Sequence, residues 1–126
     1  MYTYGQPMIG CPPLPPQCGA KGELGRKTFR YIYAQDVVPA LPPTASGLFE
    51  HFGQEYQFSN GAWNARIKPM EQVGNLLEIP LAVSAFFGDQ MKWFKHVSFR
   101  YSLADHGPQH YVSALTPPGK QSEFGA

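Results

Sequence analysis

The sequence predicts an α/β fold built around a short, mainly parallel β-sheet. Residues 28–34 form a β-branched and aromatic run with little alternation, typical of a strand covered on both faces of a parallel sheet. Residues 54–67 alternate and contain Asn60-Gly61, the favoured two-residue turn of an antiparallel hairpin. Beyond Pro69 the apolar residues take the period of amphipathic helices. Strands and helices in one chain of 126 residues indicate one domain.

The first half of the chain predicts two strands separated by a long loop. Residues 1–5 indicate a buried strand, and residues 6–26 are rich enough in proline and glycine to predict a loop. The strand over 28–34 ends just before Asp36. Three prolines within residues 37–43 then enforce an extended path away from the strand end. The sequence therefore places Asp36 on a stiff loop at the carboxyl end of a strand.

The second half predicts a helical insertion over residues 69–103. Its two apolar faces consist of Met70, Val73, Leu76 and Leu77, and of Met91, Phe94, Val97 and Tyr101. Pro108 suits the first turn of a further helix, which places His106 in the turn before it. The side chains that this helix would carry inward are Tyr111, Val112 and Leu115. The domain is expected to cover residues 1–116, with a flexible tail over 117–126.

Composition and charge argue against several classes of function. A net charge of +1 with scattered basic residues predicts no nucleic-acid partner. Since 43% of the residues are apolar and only 15% are charged, intrinsic disorder is also disfavoured. The longest apolar run, residues 79–87, has about half the roughly 20 residues of a transmembrane helix, so no membrane span is predicted. The N-terminal residues lack the pattern of a signal peptide, and the compartment stays undefined.

Neither a metal nor a cofactor is predicted. Cys11 and Cys18 are compatible with a small disulfide or with two unpaired thiols, but their spacing lacks the C-x-x-C form of zinc and redox sites. His110 follows His106 by four residues, the spacing of zinc-binding helices. Pro108 lies between these two histidines, and no third ligand is evident in the sequence.

Asp36 and His106 are the residues that suggest chemistry. An aspartate after a strand and a later histidine before a short helix fit the last two members of the Ser, Asp, His chain order of α/β-hydrolases. An imidazole can take the proton of a hydroxyl nucleophile, while a carboxylate on its other nitrogen fixes the tautomer and stabilises the imidazolium. The alternative is a pair of unrelated solvated side chains, since the chain contains several aspartates and four histidines.

Three stretches of the sequence carry a family resemblance. They are YTYGQPMIG at residues 2–10, YIYAQDVVPALPP at 31–43 followed by GLFEHFGQEY at 47–56, and ADH at 104–106 with Tyr111 and Leu115. In this order they resemble the segment after the nucleophile helix, the acid loop and the terminal Asp-His motif of class 3 lipases. That family comprises the fungal triacylglycerol lipases and their bacterial relatives. Residues 62–102 match no part of the pattern.

The resemblance implies a partial α/β-hydrolase fold, the C-terminal portion of a serine hydrolase. Its intact form would cleave carboxylic esters such as acylglycerols, with Asp36 as the triad acid and His106 as the base. None of the seven serines lies in a G-x-S-x-G elbow, so the nucleophile and both oxyanion donors are expected to precede Met1. The chain alone would then be inactive. The alternative is a non-catalytic lipid- or partner-binding remnant in which Asp36 and His106 are structural.

Residues around this pair have structural and functional interpretations. His51 could hydrogen-bond near the Asp36 loop and brace it, and Asp105 is expected in a turn or as a helix N-cap. An acyl pocket or plain core would account for the following side chains: Leu48, Phe49, Phe52, Phe86 and Phe87. The strand over residues 1–5, without its neighbouring central strand, would leave an open apolar edge and predicts self-association.

Overall fold

A computed structural model of the chain describes residues 1–74 and 101–122. Within them four strands form one mixed sheet, in the spatial order β1 (Tyr2–Tyr4), β2 (Phe29–Tyr33), β3 (Gln54–Ser59) and β4 (Ala62–Ala65). β2 is parallel to both β1 and β3, and β3 and β4 are antiparallel. The described part also contains helices α1 (Glu23–Lys27) and α2 (Pro108–Leu115). These elements form the α/β fold that the sequence predicts.

The hairpin between β3 and β4 is confirmed. Asn60 and Gly61 both have positive φ, +53° and +76°, as a two-residue type I′ turn requires. Ser59 pairs with Ala62 across this turn. The hairpin therefore follows directly from the Asn-Gly dipeptide, and its second strand ends at Ala65, two residues before the expected limit.

The two faces of the sheet differ sharply. One face carries aromatic rings that stack across neighbouring strands, with centroid separations of 5.3 Å for Tyr2–Phe29, 5.5 Å for Tyr4–Tyr31 and for Tyr31–Tyr56, and 5.1 Å for Tyr33–Phe58. The other face buries Arg30, Ile32 and Glu55. β2 thus alternates between half-buried and buried residues, so the prediction of a strand covered on both faces is wrong for the aromatic face. The period is hidden in the sequence because an arginine occupies a buried position.

An ion pair lies on the buried face of the sheet. Arg30 and Glu55 are register partners on β2 and β3, and Arg30 Nη2 lies 2.7 Å from Glu55 Oε2. Arg30 Nε also donates to the carbonyl of Phe52 at 2.9 Å. Glu55 accepts further hydrogen bonds from the backbone N–H of Met70, and its Oε1 lies 3.3 Å from Arg66 Nη1. The two charges therefore compensate each other out of water, while Arg30 Nη1 is buried without a hydrogen-bond partner among the described residues.

The loop predicted over residues 6–26 contains two short helices. A 3₁₀ turn spans Pro16–Cys18, and α1 begins at Glu23, so the expectation of a loop throughout is wrong at its C-terminal end. Gly25 allows α1 to pack against the preceding chain, because a Cβ there would lie 2.1 Å from the carbonyl oxygen of Gly19. Cys11 and Cys18 are both free thiols.

The helical insertion predicted over residues 69–103 is wrong at both described ends. Residues 69–74 are irregular, and the backbone of Val73 pairs with Ala40 and Thr44 at 2.9 Å each in place of helical hydrogen bonds. Residues 101–103 are also non-helical. The core of this region comprises Val37, Ala40, Val73 and Tyr101. The rest of the prediction, including Phe86, Phe87 and the face beginning at Met91, falls on residues 75–100, outside the described residues.

Helix α2 begins at Pro108, as predicted, and buries Tyr111. Val112 and Leu115 are each 39% exposed, so the expectation that they turn inward is wrong. The helix is held to the aromatic face by the Trp63 indole N–H, which donates to Ala114 O at 3.0 Å. Residues 117–122 have neither helix nor strand, and 123–126 lie outside the described part. No helix of the described residues is long and apolar enough to cross a membrane.

Candidate functional site

Asp36 lies in a tight turn just beyond the end of β2. Its N–H donates to the carbonyl of Tyr33 at 2.9 Å, and Ala34 inside the turn has a φ of +43°. A non-glycine residue in this left-handed region is uncommon, so the surrounding contacts must hold the turn. The Asp36 side chain is fully buried at 0% exposure. It therefore stands at the carboxyl end of a central strand, as predicted.

His106 approaches this carboxylate from the far end of the chain. It ends the 3₁₀ turn Ala104–His106, immediately before α2. Its Nδ1 lies 2.9 Å from Asp36 Oδ2, although 70 residues separate the two in sequence. The His106 side chain is 40% exposed, so one end of the pair is buried and the other is open. The expected proximity of Asp36 and His106 is confirmed, whereas their catalytic roles stay a prediction.

Two further donors complete the surroundings of the Asp36 carboxylate. The Val38 N–H donates to Oδ1 at 2.9 Å, and the Tyr111 hydroxyl donates to Oδ2 at 2.5 Å. The same hydroxyl accepts from the Tyr33 N–H at 3.1 Å. Burial, and then the hydrogen bond to Asp36, raises the pKa of Tyr111 well above its usual range. Tyr111 therefore keeps its proton and acts as a fixed donor.

This role of Tyr111 was not predicted from the sequence, in which Tyr111 was expected only to turn inward from its helix. A buried tyrosine hydroxyl usually finds a hydrogen-bond partner, and this is the signal that could have found it.

Gly5 at the end of β1 packs directly against the pair. Its φ is +58°, and a Cβ on Gly5 would lie 2.7 Å from both Asp36 Oδ2 and His106 Nδ1. Its N–H donates to Tyr31 O at 2.9 Å and continues the pairing of β1 with β2. Only a residue without a side chain fits here, so β1 forms one wall of the site through its backbone.

His51 braces the loop that follows Asp36, as the sequence analysis expected. Its Nε2 lies 2.7 Å from the carbonyl oxygen of Pro39, so the ring donates a proton to an oxygen that can only accept. Burial, and then the charge of Arg30, lowers the pKa of His51 to about 4. The ring is therefore neutral near pH 7 and contributes structure.

The partly exposed His106 lines a cavity of about 700 Å³. Most of its lining is apolar, and the residues are Tyr4, His106, Pro108, Tyr111, Val112, Leu115, Thr116 and Pro117. The exposed Val112 and Leu115 of α2 belong to this wall. Leu48, Phe49 and Phe52 do not line the cavity, and Leu48 is 70% exposed. An apolar ligand in this cavity would thus contact side chains of β1 and α2 beside His106, and not Leu48, Phe49 or Phe52.

The described residues contain no cluster of three or more side chains that could hold a metal ion. His110 stacks on Tyr33 with the ring centroids 5.0 Å apart. In residues 1–74 and 101–122, the hydrogen-bond partner of the His106 ring is Asp36, and no serine hydroxyl bonds to it. Asp36 and His106 thus form a carboxylate–imidazole pair, and no hydroxyl group bonds to the imidazole among the described contacts.

Comparison with known proteins gives one partial similarity. A stretch of 62 residues is 37% identical to a lipase of Rhizomucor miehei, covering 49% of this chain and 16% of that protein. The matched part is thus about a sixth of the length of that relative. No family model matches the sequence, and no solved structure matches it. The similarity supports a lipase-like relationship for part of the chain.

Proposed function

We propose that Asp36 and His106 are the acid and base of a Ser-Asp-His triad in the C-terminal part of an α/β-hydrolase domain. The intact protein would be similar to class 3 lipases and would hydrolyse carboxylic esters with apolar chains, such as acylglycerols. One observation carries the proposal: an imidazole bonded through Nδ1 to a fully buried carboxylate is partly exposed and lines a mostly apolar cavity. The partial similarity to a lipase points to the same chemistry.

The reaction would use the two ring nitrogens of His106 differently. Nδ1–H would keep its hydrogen bond to Asp36 Oδ2, which fixes the tautomer of the ring. Nε2 is then free to take the proton of a hydroxyl nucleophile. The resulting imidazolium is stabilised by the adjacent carboxylate, and low polarity around a buried group strengthens that attraction. Val38 N–H and Tyr111 OH hold the carboxylate oxygens in place while the charge develops.

The nucleophile would come from a segment other than these 126 residues. None of the seven serines lies in a G-x-S-x-G elbow, and in this fold the residue after the nucleophile supplies one oxyanion donor. Removing a single oxyanion donor usually costs about 10²–10³ in rate. The isolated chain should therefore hydrolyse short acyl esters at a rate near background, and His106→Ala should change that rate little.

The test is to complete the enzyme. We define the completed enzyme as this chain fused to, or mixed with, the elbow-bearing N-terminal segment of a class 3 lipase domain. It should hydrolyse p-nitrophenyl esters, and His106→Ala should abolish the activity. His110→Ala is the matched control, because that histidine stacks on Tyr33 and makes no contact with Asp36 in the described part. Enzymatic rates from the isolated chain, with labelling by a serine-directed phosphonate, would contradict the proposal.

A lipid-binding remnant without catalysis is the second candidate function. The predominantly apolar lining of the cavity beside His106 favours it. It would be supported if phosphatidylcholine vesicles bound the chain, Leu115→Asp weakened that binding, and completion restored no hydrolysis.

The free edge of β1 is proposed as a surface for self-association. β1 is the first strand of the sheet and pairs with β2 alone within the described residues. Tyr2 and Tyr4 on this strand are 64% and 48% exposed. Unpaired edge strands with exposed apolar side chains are templates for pairing with another chain. Sedimentation of the purified chain should show dimers or larger species, and a monomer at high concentration would contradict this proposal.

A further inference from the structure

We propose that Asp105 is a positioning residue that holds the His106 turn against the Asp36 loop. The inference rests on the proposed function, because it names a residue that keeps the acid and base in register. The sequence suggested only a turn or an N-cap at Asp105. The structure places Asp105 in the 3₁₀ turn, and the N-cap of α2 is Gly107, so the N-cap alternative is wrong.

The carboxylate of Asp105 reaches across to the other strand end. Its Oδ2 accepts a hydrogen bond from the backbone N–H of Gln35 at 2.9 Å, one residue before Asp36. Ser102 reinforces the same junction: its N–H donates to Gln35 O at 2.7 Å, and its carbonyl accepts from Val37 N–H at 3.1 Å. Ser102 Oγ also accepts from the Asp105 N–H at 3.2 Å. The backbone on both sides of Asp36 is thus joined to the His106 turn.

Local structure alone would hold this junction poorly. β2 ends at Tyr33, and Gln35 is exposed beyond it, so its N–H depends on a partner outside the sheet. The turn that carries His106 is three residues of 3₁₀ helix, whose hydrogen-bond geometry is weaker than that of an α-helix. The Asp105 side chain adds a link between these two weak segments to the backbone hydrogen bonds of Ser102, and it is the link nearest to His106 in the sequence. A displacement of about 1 Å in a catalytic group can cost about 10²-fold in rate.

Charge and geometry make different predictions for position 105. Asp105→Asn removes the charge and keeps a carbonyl oxygen that can accept from Gln35 N–H, whereas Asp105→Ala removes both. A positioning role requires Asp105→Asn to behave like the wild type. If Asp105 acted instead through its charge on the neighbouring imidazole, Asp105→Asn and Asp105→Ala would change the behaviour of His106 equally.

The first arm of the experiment uses the whole 126-residue chain and follows the His106 Nδ1 proton by ¹⁵N-edited NMR. Asp105→Ala should accelerate its exchange with water about tenfold or more, because the ring is no longer held on Asp36. Asp105→Asn should stay within about twofold of wild type. Glu23→Ala, which removes a carboxylate from the exposed pair with Lys27, is the control and should change nothing. Unchanged exchange in Asp105→Ala, or equal acceleration in Asp105→Asn, would overturn the proposal.

Asp105→Glu covers the case in which Asp105→Ala does not fold. It keeps the charge and moves the oxygen by one methylene, so exchange should again accelerate. Exchange at the wild-type rate in Asp105→Glu would overturn the positioning role.

The second arm measures the completed enzyme. Asp105→Ala should lower kcat about 10- to 100-fold with KM within about twofold, and Asp105→Asn should retain kcat. An active wild type whose kcat is unaffected by Asp105→Ala would overturn the role of Asp105 and leave the proposed function standing. A completed wild type without activity would overturn the proposed function, and the exchange measurements would still decide whether Asp105 positions His106.

Discussion

Asp36 and Glu55 are both carboxylates withdrawn from water, with exposures of 0% and 4%, but their partners differ in kind. Glu55 faces the permanent cation of Arg30 at 2.7 Å, with Arg66 beyond it. Asp36 faces the ring of His106, which can gain and lose a proton and is partly open to a cavity. Burial alone therefore does not distinguish a structural carboxylate from a candidate catalytic one. The partner's ability to titrate, and its access to a ligand, make the distinction.

The largest expected effect tests the Asp36 side of the comparison. In the completed enzyme, Asp36→Asn should lower kcat by about 10⁴-fold, because an amide favours the wrong tautomer of the imidazole and does not stabilise its charged form. Ester hydrolysis under saturating substrate measures the effect. Glu50→Gln is a control on a half-buried carboxylate that accepts no hydrogen bond from His106. Activity of Asp36→Asn within tenfold of the wild type would remove Asp36 from the triad.

The next effect tests the Glu55 side. Glu55→Gln should lower the free energy of unfolding by about 3–5 kcal/mol, because it leaves the buried Arg30 charge uncompensated. Urea unfolding measures this loss, and Glu71→Gln on an exposed glutamate should cost little. Replacing both members, as in Arg30→Met with Glu55→Leu, should recover much of the stability. A loss below about 1 kcal/mol in Glu55→Gln would show that the buried Arg30 charge does not depend on Glu55 for its compensation.

The two histidines near these carboxylates also differ in their surroundings, since His51 is largely buried near Arg30 whereas the His106 side chain is 40% exposed. The unfolded chain binds a proton at His51 near pH 6.5, and the folded chain only near pH 4. The unfolded state thus binds more protons between these values, and this histidine makes stability fall as the pH drops from 6.5 to 4. The full effect is about 3 kcal/mol.

Urea unfolding of the wild type and of His51→Gln over this pH range isolates that contribution, because the glutamine can still donate to Pro39 O and does not titrate. The stability of the wild type should fall more steeply on acidification than that of the variant. Parallel curves would refute the assignment to His51.

The smallest expected effect concerns Tyr111, whose hydroxyl donates to the Asp36 carboxylate beside His106. Tyr111→Phe should cost about 2 kcal/mol, because it removes a hydrogen bond to the Asp36 carboxylate and leaves the Tyr33 N–H without its acceptor. The Asp36–His106 contact should survive, as judged by the His106 Nδ1 proton. Tyr2→Phe on the exposed end of the aromatic face is the control, with an effect below about 0.5 kcal/mol. Equal stability of the two variants would contradict the role given to Tyr111.

Local signals in the sequence predicted a large part of the fold and the central pair of the site. The Asn60-Gly61 dipeptide specified the hairpin, and the order of Asp36 and His106, with the family resemblance, placed both near one sheet edge. These features depend on turn chemistry and chain order, which a sequence displays directly. The brace from His51 to the Asp36 loop was also anticipated.

The contacts that sequence reasoning missed are set by register and docking. Arg30 meets Glu55 only because β2 and β3 pair in one particular register, which no local pattern encodes. Tyr111 and Asp105 reach the Asp36 loop only once α2 and its preceding turn have docked. Over the described residues 69–74 the expected helix is absent, because the backbone of Val73 bonds to Ala40 and Thr44 in the loop after Asp36 in place of a helical turn.

The contact that joins Gly5, Asp36 and His106 is expected to form late in folding. Gly5, Asp36 and His106 touch one another from three separate stretches of chain, and the last two are 70 residues apart. Closing a loop of that length costs roughly 4 kcal/mol of chain entropy, which local contacts in the β3–β4 hairpin do not incur. We expect the hairpin to form early and the Asp36–His106 contact to form after β1 has docked. The His106 Nδ1 proton would then report the arrival of the complete native topology.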